Sequence, residues 1–286
     1  MIILSNLIVF KYVKILLRSL IFDMLSKAFH GGKLYLNIKG VLMKYFLTLI
    51  GLISMPSFAS TGDLQTSDIT GISFWLVTAA MLAATVFFFA ERDNVEGKWK
   101  TSLSVAGLVT GVAFWHYLYM RGVWVDTGTS PTVYRYIDWL ITVPLQVIEF
   151  YLILRVCTNV SSGLFWKLLG ASVVMLVAGF MGETGSNAMI CFVVGMAAWL
   201  YIIYEVFSGE AGKLNASSGN AAAQQAFSTI RLIVTVGWAI YPIGYFLGMG
   251  ANPDMANANL IYNLADFINK IAFGLAIWAA AVSDKE

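Results

Sequence analysis

Five ionisable residues sit inside otherwise apolar stretches of this chain: Arg135, Asp138 and Glu149 in one, Asp266 and Lys270 in another. A charged side chain at the middle of a membrane helix costs about 2.5–3.5 kcal/mol on insertion scales, so five on two segments are hard to attribute to packing. Their spacing sorts them. Arg135 and Asp138 are i,i+3, and Asp266 and Lys270 are i,i+4, so each pair shares a face of its own helix. Asp138 and Glu149 are eleven residues apart. At about 100° and about 1.5 Å per residue they share a face about 16 Å apart along the axis. Arg135 and Lys270 are balanced by Asp138 and Asp266 if Glu149 carries a proton. Carboxyl, amine and carboxyl at successive depths make a candidate proton path, of the kind that intramembrane acids mark in pumps. Salt bridges that merely pin two helices account for the pairs and leave Glu149 unexplained.

The elements that must position these groups follow from composition. The chain has 286 residues, 59% hydrophobic and 12% charged, against about 45–50% and about 25% in a soluble domain. The formal net charge of +2 gives no basic field for nucleic acid. Two cysteines, Cys157 and Cys191, and two histidines, His30 and His116, show no metal-ligand spacing. Residues 69–90, 101–120, 184–204 and 232–253 are read as spans because each approaches or exceeds the about 20 apolar residues a bilayer core needs. The stretch 163–182 qualifies with Lys167 snorkelling, and 132–154 and 257–282 qualify if they tolerate their internal charges. The predicted fold is all-α, an integral membrane bundle of seven transmembrane helices, since open strands would leave backbone groups unpaired in lipid.

Basic residues orient the bundle. Arg92, Lys98, Lys100, Arg155, Lys167, Lys213, Arg231 and Lys285 fall on one side and Arg121 on the other. The expectation is a multi-pass protein of the bacterial inner membrane, its bundle beginning outside and its C-terminus cytoplasmic. Odd-numbered spans then run inward, with Asp138 near the outer surface, Lys270 near the midplane, and Glu149 toward the cytoplasm. Cys157 and Cys191 fall toward opposite ends of the bundle and cannot bridge.

Residues 43–59 read as a cleavable signal: Met43-Lys44, an apolar run from Tyr45 to Met55, then small residues at Ser57 and Ala59. Residues 1–42 hold six of the eighteen basic residues and form an upstream extension expected to be absent from the mature protein. They read either as an over-extended start or as a basic amphipathic helix on the membrane surface. Residues 60–286 are the expected seven-helix domain.

Three motifs carry a resemblance: Arg135-Tyr136-Ile137-Asp138-Trp139-Leu140 with Thr142 and Pro144, Trp238-Ala239-Ile240-Tyr241-Pro242, and Asp266-Phe267-Ile268-Asn269-Lys270. With 114–124 and 259–270 they make the chain from 43 to 286 resemble the microbial rhodopsins, more narrowly the proteorhodopsins. The resemblance implies all-trans retinal bound to Lys270 as a protonated Schiff base. It implies Asp138 as main counter-ion and proton acceptor, Asp266 as second counter-ion, and Arg135 holding these carboxylates ionised. Glu149 is the implied cytoplasmic proton donor. Trp139, Thr142, Trp199, Trp238 and Tyr241 fall where the family packs the polyene, although any one of them alone reads as apolar filling.

The triplet Asp138, Thr142, Glu149 is similar to that of outward proton pumps, and the alternative is a sensory photoreceptor signalling to a partner. A receptor for a diffusible ligand would not need Lys270 between two acids. His116 reads as a satisfied core histidine or, by the family pattern, as a partner of Asp138. Gln146 resembles the blue-absorbing branch, where a polar amide beside the polyene widens the excitation gap. It reads otherwise as an amide bonded to a neighbouring helix. Glu183 is either a solvated loop residue or an aid to proton release. The expected partners are protons, the lipid bilayer and further copies in a ring of five or six protomers.

Overall fold

The computed structural model describes residues 63–249 and 252–284. The expected signal (43–59), the extension (1–42) and Lys285 lie outside the described residues. Among these, the chain is helical without strands, in the order α1 (Ile69–Glu91), α2 (Lys100–Thr127), α3 (Thr132–Cys157), α4 (Ser162–Thr184), α5 (Ala188–Phe207), α6 (Glu210–Ser217), α7 (Ala221–Leu232), α8 (Ile240–Gly248) and α9 (Met255–Ser283). Seven helical stretches are long and apolar enough to cross a membrane, and the protein is a multi-pass membrane protein. The outside of the bundle is apolar, with Leu76, Trp166, Ile190 and Val236 among its exposed side chains. Such a surface suits lipid, which needs no polar cover.

Half of the apolar window is buried in α3 and in α9, against 22% in the fifth span. The two segments that carry the five charges are therefore the most enclosed. α1 packs on α2 and α9, α2 on α3, α3 on α4, and α4 on α5, while α9 also meets α7 and α8. Caps fix the ends. Asp68 accepts from Gly71 N (2.8 Å) at the start of α1 and from Trp124 Nε1 (3.0 and 3.2 Å) near the end of α2. Asp254 caps α9, and the Asn257 side-chain amide (2.7 Å) and backbone N–H (3.1 Å) hold its carboxyl below the usual range.

The sixth span differs from the sequence expectation of 232–253. It runs Ala221–Gly248, because Arg231 does not end it: its guanidinium lies 4.2 Å from the Phe207 ring centroid, within the helix. The second span is also longer than expected, Gly97–Thr127. It keeps Arg121 by laying it 3.7 Å from the Trp75 ring centroid.

Between α7 and α8 the helix widens into a π turn, Ile233–Gly237, closed by Trp238 N to Ile233 O (3.0 Å). Pro242 has no N–H to offer Trp238, so the Trp238 carbonyl accepts from Tyr241 N (3.1 Å) instead. The loosened backbone leaves carbonyls for side chains: Val234 O accepts from Trp199 Nε1 (2.9 Å) and Gly237 O from Asn269 Nδ2 (3.0 Å). Gly237 is required there, because a Cβ would run into the Asn269 side chain.

Candidate functional site

Three of the five charges meet between α3 and α9. Lys270 Nζ pairs with Asp138 Oδ2 and, at 3.2 Å, with Asp266 Oδ2. All three side chains are buried. The two acids are not equivalent. Asp266 accepts from Tyr117 OH (2.9 Å), Trp139 Nε1 (3.1 Å), Tyr241 OH (2.7 Å) and Lys270 Nζ (3.2 Å). A carboxylate offers about four lone-pair sites, so Asp266 has none open. Asp138 is held by Lys270, and its Oδ1 has no hydrogen-bond partner.

His116 stands beside that open oxygen, its Nδ1 3.7 Å from Asp138 Oδ1. The same nitrogen contacts Val112 O at 2.9 Å. A carbonyl can only accept, so Nδ1 carries the hydrogen and spends it on the backbone. His116 is thus a neighbour of Asp138 and also a satisfied core histidine. Thr142 lies one turn below on α3 and donates to Asp138 O (3.0 Å).

Arg135, expected to hold the carboxylates ionised, makes no direct hydrogen bond to either of them. Its Nη2 donates to Asn259 and Asn263 Oδ1 (2.9 Å each) and its Nη1 to Tyr117 OH (3.2 Å). The guanidinium reaches Asp266 only through the Tyr117 hydroxyl, because the asparagines of α9 lie closer along its reach. Tyr117, Asn259 and Asn263 were not singled out from the sequence. A signal existed: Asn259, Asn263, Asp266 and Lys270 are spaced 4, 3 and 4 residues apart, which is one face of a helix.

Glu149 is fully buried, and neither carboxyl oxygen has a hydrogen-bond partner. Ser102 of α2 is a polar side chain within its reach. One turn above it, Gln146 Nε2 lies 3.5 Å from Asn269 O. That is a long contact to a neighbouring helix, made with the carbonyl of the residue preceding Lys270.

An aromatic cavity lies beside the donors of Asp266, though Lys270 itself does not line it. Trp139, Trp199, Trp238 and Tyr241 line it, with Met175, Phe192 and Pro242, whereas Thr142 and Gln146 do not. Trp139 and Tyr241 are at once walls of the cavity and donors to Asp266, so one end of the cavity lies next to the Lys270 pair. Glu183 also lines it and is no solvated loop residue: on α4, it accepts from Tyr136 OH (2.8 Å) and Tyr262 OH (2.7 Å). A long apolar aldehyde fits this arrangement, its chain between aromatic rings and its carbonyl end at a buried primary amine.

Fold and site together define a class, a seven-helix membrane protein whose last span presents a lysine to two unequal acids beside an aromatic cavity. The chain belongs to the bacteriorhodopsin-like protein family, whose pattern matches residues 68–284. It is 60% identical over 246 residues to the blue-light absorbing proteorhodopsin of Gamma-proteobacterium Hot 75m4, covering 84% of this chain and 98% of that one. It is also 60% identical over 246 residues to the green-light absorbing proteorhodopsin of Gamma-proteobacterium EBAC31A08, covering 85% and 98%. The crystal structure of the blue light-absorbing proteorhodopsin from Med12 superposes with a TM-score of 0.68 at 63% identity, over 76% of this chain and all of that one.

Proposed function

We propose that the protein is a light-driven proton pump that binds all-trans retinal through Lys270 and carries protons from the cytoplasm to the outside. The observation that carries this reading is the inequality of the two acids around Lys270, with Glu149 isolated on the same helix as Asp138. Retinal bound as a protonated Schiff base supplies light absorption and an isomerisation that makes the Lys270 Nζ proton mobile. Asp138 has lone pairs free to accept that proton, and Asp266, with its donors in place, remains the fixed counter-charge. Glu149 returns a proton to Nζ from the opposite side and refills from the cytoplasm. His116 borders the acceptor. Arg135, Tyr117 and Asn259 supply polar groups on the outward leg, and Glu183, with Tyr136 and Tyr262, is positioned to assist release.

Trp139, Trp199, Trp238 and Tyr241 confine the polyene, and Thr142 supports the acceptor from below. Gln146 places an amide one residue from the attachment site and favours blue absorption. The outward direction rests on the basic residues gathered at the Glu149 end of the bundle. The ring of five or six protomers rests on the family likeness alone. Illumination of cells that make the protein in the presence of retinal tests the reading. The expected result is acidification of an unbuffered medium, abolished by an uncoupler. No light-dependent pH change at any external pH would overturn it in favour of a sensory role.

A further inference from the structure

At the end of the bundle beyond Glu149, a carboxylate unused by this scheme joins three separate segments. Asp284, the residue after α9, accepts from Trp99 Nε1 (2.8 Å), from Lys98 Nζ (3.0 Å) and from Asn220 Nδ2 (3.2 Å). Lys98 and Trp99 belong to the turn that opens the second span. Asn220 is the N-cap of α7, its own side-chain oxygen accepting from Ala223 N (2.7 Å). Asp284 thereby ties the last span to the starts of the second and the sixth. The carboxylate is only 9% exposed. Burial works against its charge, and the hydrogen bonds from Trp99, Lys98 and Asn220 outweigh that, holding its carboxyl below the usual range.

The turn that carries Trp99 packs against α3, the helix of Glu149. Trp99 is fully buried and belongs to one apolar cluster with Leu103, Phe150, Ile153, Phe227 and Ala280. Ser102, about one turn further in on α2, is a buried polar side chain. A proton moving from the cytoplasm to Glu149 meets this cluster, and the one polar atom of the Trp99 side chain is bonded to Asp284.

We propose that Asp284 is a positioning residue that latches Trp99 over Glu149 and thereby sets the rate at which Glu149 recovers a proton from the cytoplasm. Its oxygens are committed to three donors, which suits a latch and not a collector of protons. The latch joins the two spans that flank the chromophore site, since α9 carries Lys270 and α7 leads into the π turn before Trp238. A shift of either span relative to the other loads the Asp284–Asn220 contact.

This inference rests on the proton-pump reading. The test uses the full chain in lipid nanodiscs with retinal, as unsubstituted protein and as Trp99→Phe, Asp284→Asn and the double variant. Two quantities are read: proton uptake after a flash, with a pH dye, and dark hydrogen–deuterium exchange of the Glu149 carboxyl, from its infrared C=O band. Loss of one charge-assisted hydrogen bond from the closed form predicts both about tenfold faster in each single variant. The double variant is expected to be no faster than the singles, because both weaken the same contact, one by removing its donor and the other by removing the acceptor's charge. Unchanged uptake and exchange in Trp99→Phe, with a normal absorption band, would overturn the latch. Slower uptake in Asp284→Asn alone would overturn it in favour of proton collection. If Asp284→Asn yields no pigment, Trp99→Phe decides. Absence of any flash-induced proton movement in the unsubstituted protein would instead sink the pump reading.

Discussion

Replacing Glu149 by Gln keeps the volume of the side chain and removes its proton. Glu149 stands eleven residues beyond Asp138 on α3, about 16 Å along the axis. Asp138 is the acid paired with Lys270, so the amine lies near that level and its extended chain spans only part of the gap. Gln146, one turn closer, brings an amide to within 3.5 Å of Asn269 O, but an amide has no proton to give near neutral pH. In the variant the proton must cross from the cytoplasm past Ile153, Leu154 and Trp99, all fully buried. A positioned proton donor contributes about 10²–10⁴-fold, so return of the proton to Lys270 is expected to slow by about 10²-fold or more. The transfer to Asp138 should keep its rate, because Glu149 touches neither partner. Flash photolysis separates the two as successive absorbance changes. Unchanged reprotonation in Glu149→Gln would remove it from the path and refute the argument from burial and depth.

Lys270→Ala should still give a folded bundle but no covalently held chromophore, and a visible band that survives extraction of free retinal would refute the attachment site. Asp138→Asn deletes the acceptor with a free oxygen and should end light-driven acidification by cells, whereas continued acidification would sink the scheme. Gln146→Leu should move the absorption maximum of the purified pigment to longer wavelength while pumping persists, and no shift would leave Gln146 as a helix contact only. Asp68→Ala removes the cap of α1 and the acceptor of Trp124 Nε1. It should cost about 1–3 kcal/mol, seen as earlier thermal loss of the pigment with an unchanged spectrum.

The sequence made the charged part of the site legible because each charge in an apolar stretch is an expense that demands a partner. Spacing alone paired Asp266 with Lys270, whereas the approach of Asp138 to the same amine followed from the family resemblance. The neutral polar residues gave less away. Tyr117 and Asn263 carry no such penalty, and their meaning depends on which helix lies opposite. That Arg135 speaks to Asp266 through Tyr117 is a fact of three helices meeting, and no spacing within one of them contains it. The limits of the spans failed for a related reason. Dividing the chain at charges works only where charges mark the interface, and Arg231 and Arg121 lie within spans, stacked on Phe207 and Trp75. Glu183 was ambiguous because exposure is invisible at the end of a helix, and Tyr136 and Tyr262 become its partners only through the packing of α3, α4 and α9.

The π turn shows how the conformation of one span bears on the chemistry of another. Its widened backbone frees the Gly237 carbonyl, which accepts from Asn269, the residue immediately before Lys270. Tyr241, one turn beyond Trp238, donates to Asp266. The sixth span therefore grips α9 at two points just before the lysine, through its backbone at Asn269 and through Tyr241 at Asp266. A second tie between these spans lies at Asp284 and Asn220, fourteen residues from Lys270, about 21 Å along the helix. Buried side chains between the ties, Phe227, Ile230, Phe273 and Ile277 among them, are apolar, and apolar packing resists separation without fixing register. Hydrogen bonds at the two ends do fix it. A movement of Lys270 large enough to strain the Asn269–Gly237 contact must shift α9 against the sixth span, and the strain reaches the Asp284–Asn220 contact at the far end. Lys270 and the Asp284 end of the bundle are thus mechanically connected through the same two spans.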